Sequence, residues 1–178
     1  DYKKVTKNAA VQKGLFTTLY NAKEGKLYFE IPDSAFGRTY ILANRVAATS
    51  NTRDFVAGQI ATQPLLIRFS KDERNVYIHQ IQSSDIVAGT DPIESAFDKN
   101  FYDPVLKGFK IAAQNGKNVV IDVTAFFGAN EKAISPIKTD NPLSKLLGGA
   151  NSLKGTFVPD ASGIVSSKCF PENIEIKS

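Results

Sequence analysis

His79 is the only histidine and Cys169 the only cysteine, and these two residues bound the chemistry open to the chain. A histidine on the less apolar face of a strand could titrate or ligate a metal, and a free thiol could act as a nucleophile. His79 falls in the run 76–81, on the side opposite Val76 and Ile78. No second His or Cys stands at ligand spacing. A His/Cys zinc cage needs about four such ligands, and an HExxH helix needs two His, so both are excluded. A single Cys forms no internal disulfide. Cys169 lies beside Phe170 and Pro171, and the one His that could activate it is remote in sequence. The plain reading is a partly buried structural Cys and an ordinary sheet histidine.

Asp85, Asp91, Asp98 and Asp103 recur through one stretch. A calcium loop wants its carboxylates two apart with a Gly at the bend, and that spacing is absent. Helix caps and a solvated face account for them. Gly148-Gly149 lacks the strand–helix context and the Lys-Ser/Thr of a phosphate loop. A Ser/His/Asp triad through His79 is arithmetically open, but no GxSxG elbow supports it. No specific carboxylate pair suggests glycoside chemistry. The sequence therefore assigns no catalytic, cofactor-binding or metal residue.

The elements that would position these groups are mostly strands. In 27–31, Leu27, Phe29 and Ile31 share one face while Tyr28 and Glu30 take the other, the period-2 pattern of a half-buried antiparallel strand. Pro32 ends it, since proline cannot donate to the ladder. Residues 15–20 predict the preceding strand, with a turn around Gly25. Asp33 or Ser34 could cap a short helical turn, and 40–47 predicts a third strand. Strands at 65–69 and 76–81 flank a charged turn and read as a hairpin. Asp91-Pro92-Ile93-Glu94 is a helix start, with a cap and Pro at the first position, and the helix runs to about Asn100. Asp103-Pro104 restarts a second short helix that stops near Gly108. Strands at 109–114 and 117–124 flank Asn115-Gly116, a type I′ hairpin signal. Residues 128–168 are punctuated by Gly and Pro and read as loops, with one short helix near 143–147. A last strand falls at 173–177.

Composition adds limits. The chain has 178 residues, with 42% hydrophobic and 22% charged, which is ordinary for a globular domain. No apolar run approaches the ~18 residues of a membrane helix. The net charge of +4 arises wholly within residues 1–90, which hold 12 basic and 8 acidic groups against 10 and 10 in residues 91–178. The five Arg lie between Arg38 and Arg74 without forming a run, so the basic, aromatic-interleaved stripe of a nucleic-acid binder is missing. Lys3, Lys4 and Lys7 read as a solvated tail. The absence of Met predicts a processed or excised chain, from which any signal peptide or lipid-anchor segment has gone.

Several segments in order carry a resemblance: Lys13-Gly14-Leu15-Phe16-Thr17, then Leu27 to Arg38, then Val119 to Thr124, Ser135-Pro136, and Cys169-Phe170-Pro171-Glu172-Asn173-Ile174-Glu175. Together they resemble the N-terminal region of a family of exported bacterial zinc-dependent metalloproteases. There a short and a longer domain of unknown function precede a zincin-type catalytic domain. The resemblance spans nearly the whole chain. It departs at Thr52 to Gly58, where the family is often Gly-rich. It departs again at Pro159-Asp160-Ala161-Ser162, where the family tends to carry an Arg.

The expected fold is mainly β, α+β in the broad sense: a twisted antiparallel sheet or sandwich built of hairpins with one or two short inserted helices. Residues 1–50 form a short region completing the same sheet, and 51–178 a longer β-rich domain. The resemblance implies a non-catalytic N-terminal domain that packs against a catalytic domain lying outside the chain. Zinc and peptide or protein substrate would belong to that other domain, with no cofactor here, no nucleic acid and no membrane span. It implies export to the periplasm or the outer cell surface. The alternative is a free-standing cell-envelope module for a glycan, peptide or protein partner, using exposed Tyr28, Tyr40 and Tyr77 on the polar strand faces.

Overall fold

Alternation along the chain builds a single sheet. The computed structural model describes residues 2–50, 55–81, 103–135 and 157–178. Strands β1 (Ala10–Lys13), β2 (Thr17–Asn21), β3 (Lys26–Ile31), β4 (Thr39–Leu42), β5 (Leu65–Lys71), β6 (Asn75–Gln80), β7 (Val105–Asn115) and β8 (Asn118–Asp122) form one antiparallel sheet. Its order is β1-β2-β3-β8-β7-β6-β5-β4. A separate hairpin pairs β9 (Ser166–Cys169) with β10 (Ile174–Lys177). Two short α-helices, α1 (Tyr2–Thr6) and α2 (Thr124–Gly128), and two 3-10 turns at Asp33–Ala35 and Pro159–Ala161 complete the regular structure of the described residues.

The sheet is curled. Phe16 immediately precedes β2, six strand positions from β4, which is ~29 Å in a flat sheet at about 4.8 Å per strand. Yet the Phe16 ring lies edge-on to Tyr40 of β4 and Phe69 of β5, each centroid 5.6 Å away. The concave face encloses the main core: Leu27, Phe29 and Ile31 of β3, Ile67 and Phe69 of β5, Val76 and Ile78 of β6, and Ile121 of β8. Phe126 of α2 closes it from one end, edge-on to Phe109.

The convex face is partly covered as well, which corrects the picture of β3 as half-buried. Leu19, Ala113 and Val120 form a second cluster there, overlaid by Tyr2, Val5, Ala9 and Tyr28. The cover is α1. The side chains of Lys3, Lys4 and Lys7 are solvated as expected, but the backbone that carries Lys3 and Lys4 is helical and docked, not a free tail.

Five further expectations are corrected. The second short helix starting at Asp103-Pro104 is replaced by strand β7, because Tyr77 pairs with Gly108 and Val76 with Phe109. Cross-strand pairing overrides the local helix-start signal. The hairpin loop is Gly116-Lys117, since Asn115 pairs with Asn118. Gly116 has φ +62° while Lys117 stays out of the left-handed region. That is the type II′ pattern of Gly at the first loop position. Asp33 caps nothing; its carboxylate instead accepts from Lys71 Nζ at 2.6 Å. Part of the loop-like stretch 128–168 is strand β9, and strand 117–124 ends at Asp122, with Thr124 opening α2. The expected helices at 91–100 and near 143–147 lie outside the described residues.

Candidate functional site

Sheet register brings four polar side chains together on the convex face of β5 and β6. Residues directly opposite in an antiparallel pair project to the same side. Arg68 pairs with His79 and Ser70 with Tyr77, so all four leave the core face to Ile67, Phe69, Val76 and Ile78. Ser70 Oγ and His79 Nε2 are 2.7 Å apart. His79 Nδ1 lies 3.1 Å from the backbone carbonyl oxygen of Asp103. A carbonyl only accepts, so Nδ1 carries the proton of the neutral ring and Nε2 presents its lone pair to the Ser70 hydroxyl. Arg68 Nη1 reaches Asp103 Oδ2 at 3.5 Å, while Arg68 Nε is buried with no hydrogen-bond partner among the described residues. His79 itself is 8% exposed.

Tyr77, the fourth member, lies at the edge of the cluster. Its ring lies over Gly108, where an added Cβ would sit 3.4 Å from two ring carbons. Its hydroxyl donates to Asp72 Oδ2 at 2.8 Å. The backbone N–H of Arg74, the Tyr77 hydroxyl and the backbone N–H of Asn75 hold the Asp72 carboxyl down to about 2. The same contact with Asp72 pushes the Tyr77 phenol up.

A second polar centre lies under α1. Glu30 is 5% exposed. Tyr2 Oη donates to its Oε2 at 2.7 Å, and Asn115 and Asn118 Nδ2 donate to Oε1 at 2.9 Å each. Burial pushes the Glu30 carboxyl up. Hydrogen bonds from Asn118, Tyr2 and Asn115, with the charge of Lys13, outweigh it and hold the group below the usual glutamate value. The carboxylate is fully engaged and anchors α1 to the β7–β8 turn.

Cys169 is the only Cys, and its thiol donates to the Phe16 carbonyl at 3.3 Å. Its backbone N–H donates to Gln12 Oε1 at 2.9 Å, and Leu15 N–H donates to Phe170 O at 2.7 Å. An added Cβ on Gly14 would stand 2.6 Å from the Phe170 carbonyl carbon, so only Gly fits. The segments Lys13 to Thr17 and Cys169 to Glu175, about 155 residues apart, thus close on each other as a seam.

Other residues singled out by sequence are placed as follows. Asp85, Asp91, Asp98 and Gly148-Gly149 fall outside the described residues. Asp103 joins His79 and Arg68. Tyr40 is not on a polar face: it packs edge-on to Phe16 and Phe69, and its hydroxyl donates to Ala35 O at 3.1 Å. Tyr28 packs into the cluster beneath α1. Among the described residues, no three His, Cys, Asp or Glu side chains gather as a metal site, and no helix is long and apolar enough to cross a membrane. Ser70 carried no sequence signal. Only strand register could have found it, because a residue two positions beyond Arg68 meets His79 diagonally across the ladder.

Comparison with known families is decisive on one point. A domain of unknown function, DUF5117, matches residues 58–178, and a second, DUF5118, matches residues 1–49. The chain belongs to the DUF5117 family. The DUF5118 segment precedes it and supplies β1 to β4. No curated protein and no solved structure matches the chain. The DUF5117 match covers β5 to β10, and with them Arg68, Ser70, His79 and Asp103.

Proposed function

We propose that the chain is a non-catalytic N-terminal domain of an exported zinc-dependent metallopeptidase, packing against a catalytic domain outside this sequence. One observation carries the reading. Two of the motifs that resemble the metalloprotease family, Lys13 to Thr17 and Cys169 to Glu175, are spent on each other, in the Gly14–Phe170 seam. A motif that closes a scaffold, with its glycine, carbonyl and thiol consumed internally, supports a framework role. The succession of a short and a longer domain of unknown function in the family matches supports the same arrangement. Zinc and substrate then belong to the neighbouring domain, and the protein works in the periplasm or at the outer surface.

The test compares the 178-residue chain with the parent protein encoded by its gene. The chain alone should bind no stoichiometric zinc and cleave no peptide. The parent should carry an HExxH segment downstream, and should lose stability when this domain is loosened by Gly14→Ala. Tight zinc in the chain alone, or chelator-sensitive peptidase activity from it, would refute the reading. A stop codon directly after Ser178 would favour the free-standing envelope module instead.

A further inference from the structure

We propose that Ser70 is an acyl-accepting nucleophile activated by His79, in a site for a carboxylic ester or similarly activated acyl donor. The step is acylation of Ser70 without turnover, so it leaves the domain without peptidase chemistry, and the metallopeptidase reading neither requires it nor depends on it. A serine hydroxyl is a weak nucleophile until a base takes its proton, and the base must lie within about 2.6–3.2 Å and be oriented by a third group. All three parts are present. Ser70 Oγ lies 2.7 Å from His79 Nε2. The Asp103 carbonyl, 3.1 Å from Nδ1, favours the tautomer in which Nε2 accepts from the Ser70 hydroxyl. A backbone carbonyl occupies the place that a carboxylate takes in a Ser-His-Asp triad. Ser70 is only partly buried.

Arg68 supplies an independent observation. It stands on the same face, two residues before Ser70 and directly opposite His79. Its guanidinium is held by Asp103 through Nη1, yet its Nε–H is buried without an acceptor among the described residues. A buried donor left unpaired costs about 1–3 kcal/mol. An oxyanion formed at an acyl carbon bound to Ser70 would supply the missing acceptor.

The step balances. The Ser70 Oγ–H proton passes to His79 Nε2 as Oγ bonds to the acyl carbon. The carbonyl electron pair moves onto oxygen and returns as the carbon–oxygen bond to the leaving alcohol breaks. The alkoxide takes the proton from His79 Nε2 and departs as the alcohol, leaving an acyl ester on Ser70.

A fluorophosphonate reports the same attack. Oγ bonds to phosphorus, fluoride leaves with the phosphorus–fluorine electron pair, and the hydroxyl proton goes through His79 to solvent. The folded 178-residue chain is incubated with this probe and the adduct mapped by peptide mass spectrometry. A single adduct on Ser70 is expected, lost in Ser70→Ala. His79→Gln keeps a hydrogen-bonding side chain but no base, and should slow labelling by at least about 100-fold. A pair that serves only the sheet would leave Ser70 as inert as the other serines. The idea is overturned if Ser70 takes no label, or if His79→Gln labels at the wild-type rate. Should His79→Gln lose its β-sheet circular dichroism, the heat-unfolded wild type replaces it. Equal labelling of Ser70 in folded and unfolded chains then overturns the idea as well.

Discussion

Glu30 shows how a carboxylate is held inside a sheet. Burial alone would push its proton affinity up, but three donors and Lys13 reverse the sign. A folded-state value below the unfolded one means that the group stabilises the fold above its unfolded pKa. That contribution disappears as pH falls through the folded value. Glu30→Gln should therefore flatten the acid limb of stability against pH. At neutral pH it should cost about 1–3 kcal/mol, because an amide N–H₂ would face donors from Tyr2 and two asparagines. Urea titration across pH measures both. Asp72 obeys the same rule in solvent. Tyr77→Phe removes one of its donors and should raise its carboxyl from about 2 toward the ordinary aspartate value, read by carboxyl-carbon NMR. Neither partnership was legible in sequence. Glu30 read as a polar-face residue because its donors come from positions 2, 115 and 118, and only α1 docking and the β7–β8 turn bring them together.

Elements were legible where alternation and pairing agreed. Leu27, Phe29 and Ile31 face the core as their spacing predicts. Leu27→Ala should destabilise by about 2–5 kcal/mol in chemical denaturation, since this side chain is fully buried. Residues 105–108 misled because Asp103-Pro104 speaks only for its own neighbourhood, while β6 offered a ladder to pair with. Of the β9–β10 hairpin, sequence marks only one strand. Its second strand alternates, but Ser166–Cys169 is polar and is ordered by pairing with Ile174–Lys177. The seam at Gly14 makes a sharper test. Gly14→Ala forces a methyl against the Phe170 backbone and should cost about 1–3 kcal/mol. Gly25→Ala has open space around its Cβ and bears only the positive-φ penalty of about 1 kcal/mol. If melting curves show the two equal, the seam is not a tight joint.

At the scale of the molecule, the two family segments share one sheet. The DUF5118 segment supplies β1, β2 and β3 at one end and β4 at the other, so β8, β7, β6 and β5 lie between its strands. Cutting the chain between residues 50 and 57 should leave neither piece folded alone, while co-expression should restore β-sheet circular dichroism. Hydrogen exchange should be slowest in β3, β8 and β7 and fastest in β1 and β4, the strands at the sheet edges. The sequence by itself determined the regularly alternating strands, such as β3, β5 and β8, because period-2 burial is a local property of the chain. It also restricted the chemistry, because one His and one Cys limit ligand sets whatever the fold. Only the tertiary structure decided the curl, which sets Phe16 against Tyr40 across the sheet. It alone placed Ser70 against His79, and closed Gly14 on Phe170. Such contacts depend on register and on chain segments far apart in sequence, and neither is encoded in any short window of residues.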